Sequence, residues 1–407
     1  MSVFDFITSM LCLPTESLSR IEENTFLLTL PVQVQVCPHC HKETTLVHDY
    51  RKQPLKVACL IDTPVTLYYR KRRYWCPHCH KAFAEKNPIV SRYQRMTKDT
   101  IARIIAEHGS LVSSTDIARR YKIAVPTVQR LFKQISPASM QLDEAISIDE
   151  FKGDVGAKFQ VVINSLTRHC CLNILEDRTS EILYQQLLEY PLEERLRVKL
   201  VSIDLSASFR SMVKACFPNA QLTADKFHTV RMANEALNWV RRKVQETLPK
   251  DQRKQFKGSK YLTLTREKNL TKDTDRTALQ VMLNYSDELS AAYAMKELYF
   301  DLMDSKDSND FSIRLRRFQQ AVERQQIKPF LTLLKTTLQW KTEIIHAIAT
   351  GYNNGFTEGC NTTIKNLKRI GYGFRNFENF KRRILYLLNN PIRRSVRKIR
   401  EDKGICS

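Results

Sequence analysis

The sequence predicts a multidomain α+β chain, and three observations predict it. Residues 31–85 alternate apolar and polar side chains as short strands do, whereas from Thr97 the apolar residues fall three and four apart as in helices. From Ala145 strand-like and helix-like runs alternate, which implies an α/β sheet. After His228 some 120 residues are helical and charged with no strand-like run, too long for a loop and hence a folded helical insertion. At 407 residues the chain also exceeds what one compact core supports.

The elements follow in order. Residues 1–30 carry only a mixed apolar stretch around Phe26 to Leu30. PVQVQV and TPVTLYYRKRRYW read as strands, MTKDTIARIIAEHGSLVSSTDIARRYKIAVPTVQRLFKQI as helices, and SPAS as a short linker. AISID, KFQVVINS and HCCLNIL read as three strands. A helix near Ser180 to Tyr190, the strand KLVSID, a helix near Ser208 to Phe217 and the strand QLTAD follow. The closing NFENFKRRILYLLNN reads as an amphipathic helix, broken near Pro391 and followed by a basic tail. The expected domains are 1–90, 91–140, 141–228, a helical insertion over 229–350, and 351–407 completing the sheet domain.

CPHCHK occurs at Cys37 to Lys42 and again, letter for letter, at Cys76 to Lys81. Two C-x-x-C pairs supply four thiolates, the tetrahedral set that structural Zn²⁺ prefers, so Cys37, Cys40, Cys76 and Cys79 are expected to form a zinc ribbon. The 35 residues between Cys40 and Cys76 demand an elaborated connection. His39, His41, His78 and His80 are left outside the shell that four thiolates close. Arg70, Lys71, Arg72 and Arg73, interleaved with aromatics beside the second pair, suit contact with phosphates.

SSTDIARRYKIAVPTVQRLFKQI has the form helix, tight turn, helix. Ile117, Ala118 and Tyr121 would pack the first helix, Ile123 the turn, and Val128, Leu131 and Phe132 the second. Thr127, Gln129, Arg130 and Lys133 would then project toward DNA from the second helix.

Lys and Arg number 65 against 43 Asp and Glu, a net charge of +22 that fits a polyanionic partner, and nucleic acid better than membrane. Against that background three acidic positions stand out. Asp149 ends the run AISID, Asp204 ends or follows KLVSID, and Glu358 opens the run TEGCNTTIKNLKRI. If the two strands are adjacent, both aspartates meet at one end of the sheet. Cys360, Ile364 and Leu367 would form the buried stripe of the Glu358 helix, with Glu358, Asn361, Lys365 and Lys368 on another face that presents one carboxylate to a metal and the two lysines to phosphates. Carboxylates grouped this way repel DNA unless they hold divalent metal, and with metal they can support phosphoryl displacement. The same residues also have simple capping roles open to them. Five of the ten glycines bracket Glu358, as a close backbone approach would require. Asp225 in ADKFH competes with Asp204 as the second acidic ligand.

No apolar run is long enough for a transmembrane helix, and MSVFDFITSMLCLPTE, with Asp5 and no early positive charge, is a poor signal peptide. Eleven cysteines then read as reduced thiols or metal ligands, and the expected compartment is the cytoplasm. No P-loop motif is present, which argues against an ATP-driven helicase or recombinase.

The order zinc knuckles, helix-turn-helix, SIDEFKG, DLSASFRSMVKACFPNAQLTADKFHTV and NGFTEGCNTTIKNLKRIGYGFRNF resembles the ISL-three family of bacterial insertion-sequence transposases, over nearly the whole chain. The resemblance implies a ribonuclease-H-like core interrupted by a helical insertion, with Asp149, Asp204 and Glu358 as a DDE triad binding Mg²⁺ or Mn²⁺. It implies cleavage at the transposon end and strand transfer to target DNA. The N-terminal modules would recognise terminal inverted repeats, and Asp225 and His228 would orient ligands or phosphate. It further implies a bacterial, nucleoid-associated protein acting as a homodimer or larger synaptic assembly. Two other readings stay open on the residues alone: a DNA-binding regulator without catalysis, and a ribonuclease-H-like nuclease without strand transfer.

Overall fold

A computed structural model describes residues 3–11, 13–60, 63–90, 94–135, 141–256, 259–352 and 354–390. The SPAS linker and the basic tail from Pro391 lie outside the described residues. The chain divides into two compact units. One comprises Met1–Pro137, Lys365–Phe374 and Glu378–Ser407, the other Ala138–Ile364 and Arg375–Phe377.

The first unit opens with α1 (Val3–Leu11), β1 (Leu18–Glu22) and β2 (Thr25–Leu28), elements that the sequence left unread. Two short strands, β3 (Gln35–Val36) and β4 (Glu43–Thr44), pair around the first cysteine knuckle. The long interval between the knuckles is a β-hairpin of two 14-residue arms, β5 (Val47–Leu60) and β6 (Thr63–Cys76), with β7 (Lys81–Ala84) after the second knuckle. The sheet order is β1-β2-β6-β5, and β7 also pairs with β6. Phe26, Leu28, Leu55, Leu67 and Tyr69 pack with Ile7 of α1 into a small core, so the N-terminal residues close one face of the hairpin.

Three helices follow: α2 (Lys98–Glu107), α3 (Ser114–Arg120) and α4 (Val125–Lys133). The Thr97 and Ser113 side chains accept from the free backbone N–H groups at the starts of α2 and α3, and Pro126 sits where α4 needs no donor. Ile104, Ile117, Ala118, Val128 and Leu131 form their core, with Tyr121 and Ile123 packed against it, as the helix-turn-helix reading expects.

The second unit contains β8 (Ala145–Lys152), β9 (Phe159–Ser165), β10 (Cys170–Leu175), α5 (Ser180–Leu188), α6 (Leu192–Arg197), β11 (Leu200–Ile203), α7 (Ala207–Cys216) and β12 (Gln221–Ala224). The sheet order is β10-β9-β8-β11-β12, with β8–β9 and β9–β10 antiparallel and β8–β11 and β11–β12 parallel. This is the ribonuclease-H-like core. The insertion supplies α8 (Lys226–Thr247), α9 (Lys250–Gln255), α10 (Ser259–Leu264), α11 (Asp273–Leu283), α12 (Asp287–Met303), α13 (Ser308–Gln325), α14 (Lys328–Gln339) and α15 (Lys341–Thr350). One continuous apolar core joins the sheet to these helices, from Ile146 and Val201 through Leu237 to Phe318 and Phe330. Arg210 of α7 pairs with buried Glu343 of α15 at 2.5 Å, and His346 Nδ1 lies 3.0 Å from the Leu222 carbonyl of β12. The insertion therefore braces the sheet instead of forming a body of its own.

Gly351, at φ +67, ends α15 in the left-handed conformation, and α16 (Gly355–Gly371) and α17 (Phe377–Leu388) complete the described chain. Residues 365–374 and the chain from Glu378 cluster with the first unit, while the start of α16, with Glu358, belongs to the second. Arg383 of α17 is buried and donates to the carbonyls of Ser110 and Val112, which lie between α2 and α3. The Tyr386 ring stands edge-on to Phe132 of α4, whose other neighbour is the stacked ring of His108 at 4.2 Å. Among the described residues no helix is long and apolar enough to cross a membrane.

Candidate active site

The two CPHCHK copies fold alike. In each the N–H of the fifth residue, His41 or His80, donates 2.9 Å back to the carbonyl of the first cysteine, and both histidines take positive φ (58° and 54°). The turn directs each cysteine pair inward. Cys37 Sγ lies 3.6 Å from Cys79 Sγ and Cys40 Sγ 3.4 Å from Cys76 Sγ, with all four sulfurs within 4.8 Å of one another. Sulfurs about 2.3 Å from a tetrahedral Zn²⁺ stand about 3.8 Å apart, so the set fits zinc with slight expansion. The thiols titrate apart without a cation. Burial opposes ionisation of Cys76, yet backbone N–H groups of Cys79 and His78 bring it to about 7, while burial and the neighbouring sulfurs push Cys79 to about 12. Zn²⁺ is the cation for this set, and the four histidines of the knuckles take no part in the sulfur cluster.

The acidic site is built by register. Ile148 of β8 pairs with Ile203 of β11, and Ile203 with Ala224 of β12. The next residue on each strand path is Asp149, Asp204 and Asp225, so three aspartates stand abreast. Asp149 does not end its strand as expected, because β8 continues to Lys152. Asp204 does follow β11 directly. Asp149, Asp204 and His228 bring ligand atoms within 4.8 Å of one another, and His228 Nε2 lies 3.0 Å from Asp204 Oδ1.

Burial raises the Asp149 carboxyl to about 7, helped by the charge of Asp204. Burial likewise raises Asp204 to about 7, together with Asp225 and Glu150. Such a cluster holds protons unless a cation replaces them, so its donor set fits a divalent ion. Asp225 Oδ1 caps α8 by accepting from Phe227 N at 2.9 Å, its Oδ2 stands 3.7 Å from His228, and it is not among the three residues whose ligand atoms lie within 4.8 Å of one another. This favours Asp204 over its rival.

Glu358 lies half-buried in the first turn of α16 and is not among the atoms within 4.8 Å. Burial, then the charge of Asp225, raises its carboxyl. Cys360, Ile364 and Leu367 form the expected buried stripe. Gly359, beside Glu358, has nothing within 4 Å of where a Cβ would stand, so this side of the helix is open.

Asn361 was placed on the Glu358 face by helical spacing but given no partner. Its Nδ2 donates 2.6 Å to Asp149 Oδ2, while Asp149 Oδ1 accepts from Glu150 N at 2.7 Å. Thr357, Ser147 and Asn164 were passed over altogether; the signal was the polar alternation of Ser147 and Asp149 within an apolar strand.

The candidate DNA-contact residues divide. Gln129, Arg130 and Lys133 of α4 are exposed and Thr127 is half-buried. On β6 Arg70 is exposed and lies over the Tyr50 ring at 4.0 Å, Lys71 is half-buried, and Arg73 pairs with Asp49 at 3.0 Å. Arg72 must be corrected. It is 3% exposed, its guanidinium donates to the Leu30 and Pro31 carbonyls, and Glu85 pairs with it at 3.6 Å. Strand alternation turns it inward with Tyr74 and Cys76, so it cannot reach phosphate. Lys365 is exposed on α16 and Lys368 half-buried.

Residues 146–384 match a family described as "Transposase", the DDE class of the ISL3 group. Residues 85–136 match the helix-turn-helix domain of transposase family ISL3, and residues 33–79 the zinc-finger of transposases IS204/IS1001/IS1096/IS1165. The chain is similar to the transposase for insertion sequence element IS1001 of Bordetella parapertussis, 24% identical over 86% of this chain and 87% of the relative. It also resembles a Lactococcus lactis protein named ATP-dependent protease (30%, over 31% and 39%). A third relative is the transposase for IS1557 of Mycobacterium tuberculosis (26%, over 45% and 46%). With the modules described above, these matches define a DNA-binding, nucleic-acid-cleaving transposase that uses Zn²⁺ and a divalent metal such as Mg²⁺. The chain belongs to the ISL3 transposase family.

Proposed function

We propose that this transposase cuts at the ends of its insertion sequence and joins the freed 3′ hydroxyl to target DNA. Asp149, Asp204 and Glu358 would be its catalytic carboxylates. The observation that carries the reading is the register: Asp149 on β8 abreast of Asp204 just past β11, with Asp149, Asp204 and His228 atoms within 4.8 Å. Asp149 and Asp204 would hold the divalent ion, and Glu358 would complete the site from α16. Divalent metal held there would activate an attacking oxygen and stabilise the developing charge of a phosphoryl displacement.

The chain's own groups do the rest. The Nε2 of His228 steadies Asp204, the amide of Asn361 steadies Asp149, and Asp225 anchors the start of α8 that carries His228. In hydrolysis a water oxygen bonds to phosphorus while the 3′ oxygen departs as a hydroxyl. In transfer that hydroxyl attacks a target phosphodiester and displaces a new 3′ oxygen, which leaves protonated. The zinc ribbon and α4 would read the terminal inverted repeats through Thr127, Gln129, Arg130 and Lys133. Arg70, Lys71, Arg73, Lys365 and Lys368 would contact phosphates. Joining two ends calls for a homodimer or larger assembly.

Incubation of the full chain with end-containing DNA and Mg²⁺ tests the reading. End-specific nicking and strand transfer are expected, each lost in Asp149→Ala, Asp204→Ala and Glu358→Ala. Activity that survives any of these changes would sink the triad.

A further inference from the structure

Behind the carboxylates the same sheet face carries a second polar row. Asn164, Ser147, Ser202 and Thr223 stand opposite one another on β9, β8, β11 and β12, and all are 5% exposed or less. Thr357 of α16, itself 1% exposed, sits on this row. Its Oγ1 lies 2.6 Å from Ser147 Oγ and accepts from Asn164 Nδ2 at 3.2 Å.

Four residues on, Asn361 bonds Asp149, which is two residues beyond Ser147. Four residues of helix rise about 6 Å and two residues of strand about 6.6 Å, so the steps match. Helix and strand are thus stitched by two rungs, Thr357–Ser147 and Asn361–Asp149, with Glu358 between them. The apolar stripe of Cys360 and Ile364 binds α16 without direction, since hydrophobic contact is non-directional, and would tolerate small slides. The rungs would not, because a one-residue slide breaks both. Asn361 Oδ1 is buried with no hydrogen-bond partner among the described residues, so the Asp149 bond alone orients this amide.

We propose that Thr357 and Asn361 are positioning residues that hold Glu358 in register with Asp149, Thr357 through the Ser147–Asn164 seat and Asn361 through Asp149 itself. The proposal rests on the reading of Asp149 and Glu358 as ligands of one metal site.

The test uses the zinc-loaded full chain and Mn²⁺ as the probe, with binding followed by electron paramagnetic resonance and folding checked by thermal unfolding. Thr357→Val keeps the shape and removes the hydroxyl, and should weaken Mn²⁺ binding about 10-fold or more, as loss of a ligand-orienting partner does. Thr357→Ser, which keeps the hydroxyl, should restore binding close to that of the unaltered chain. Asn361→Ala, at a less buried position, should weaken binding in the same direction and carries the test if Thr357→Val does not fold. Glu358→Gln provides the reference. If it weakens Mn²⁺ binding while Thr357→Val and Asn361→Ala bind as the unaltered chain does, the stitch is overturned and the site stands. If Glu358→Gln itself binds Mn²⁺ normally, the reading of Glu358 as a ligand falls and the positioning role falls with it.

Discussion

Replacing Asp204 by Asn should stabilise the protein in the absence of divalent metal while abolishing cleavage. Asp149 and Asp204 both stand near 7 because burial and neighbouring carboxylates disfavour their charge. A carboxyl raised in the folded state keeps its proton between the unfolded value, about 3.9, and the folded one, so folding is favoured at low pH. That contribution is lost as pH rises through 7. From pH 5 to pH 8 the folded site gives up its proton over about two pH units at about 1.4 kcal/mol each, a loss of about 2–3 kcal/mol. Asp149 and Asp204 titrate as a pair, so the figure belongs to the site as a whole.

Asn cannot ionise, and its presence lowers the repulsion on Asp149. The variant should therefore be more stable than the unaltered chain at pH 8, its advantage there exceeding that at pH 5 by roughly 5–10 °C in melting temperature for a domain of this size. Thermal unfolding of both proteins at the two pH values, with zinc retained and no other divalent ion, measures the difference. Adding Mg²⁺ at pH 8 should raise the unaltered chain more than the variant. A variant that is no more stable at pH 8, or whose advantage is the same at pH 5, would refute the argument that charge is stored at this site.

Four further outcomes are expected. Arg72→Ala should lower stability by about 3–5 kcal/mol in urea unfolding, since buried Glu85 would keep its Tyr69 and backbone donors but lose its cation, whereas Arg70→Ala should leave stability nearly unchanged and weaken DNA binding. Cys76→Ser combined with Cys79→Ser should lose bound zinc by metal analysis and, with it, the fold of the hairpin's knuckle end. Gly359→Ala should raise the melting temperature through a gain of up to about 1 kcal/mol in helix propensity, because a Cβ there meets nothing within 4 Å; a fall would show that the site is more crowded than its geometry indicates. Binding to end-containing DNA should weaken steeply between about 50 and 200 mM salt in a filter-binding assay, and a flat response would contradict phosphate contact as the role of the charge.

Much of the second unit was legible because its elements announce themselves locally. KFQVVINS and KLVSID are short, apolar and bounded by polar turns, and the structure forms strands at both. Residues 18–28 gave no clear alternation, and their strands exist because β6 offers an edge to pair with. The 35-residue interval between the knuckles had a known length but no known path until the two arms paired. Arg72 was misjudged because a run of basic residues looks exposed as a composition, while a strand turns successive side chains to opposite faces.

Residue identity and spacing thus established the zinc set, the helix-turn-helix and the three acidic candidates, since each is a local pattern of ligand type or periodicity. Tertiary structure alone decided that Asp149 and Asp204 stand abreast, that Asp225 caps a helix, and that Thr357 and Asn361 meet β8 more than 200 residues away in the chain. Those relations depend on which strand pairs with which and on where one helix comes to rest. A hydrogen bond between residues so distant in sequence leaves no periodic trace at either end.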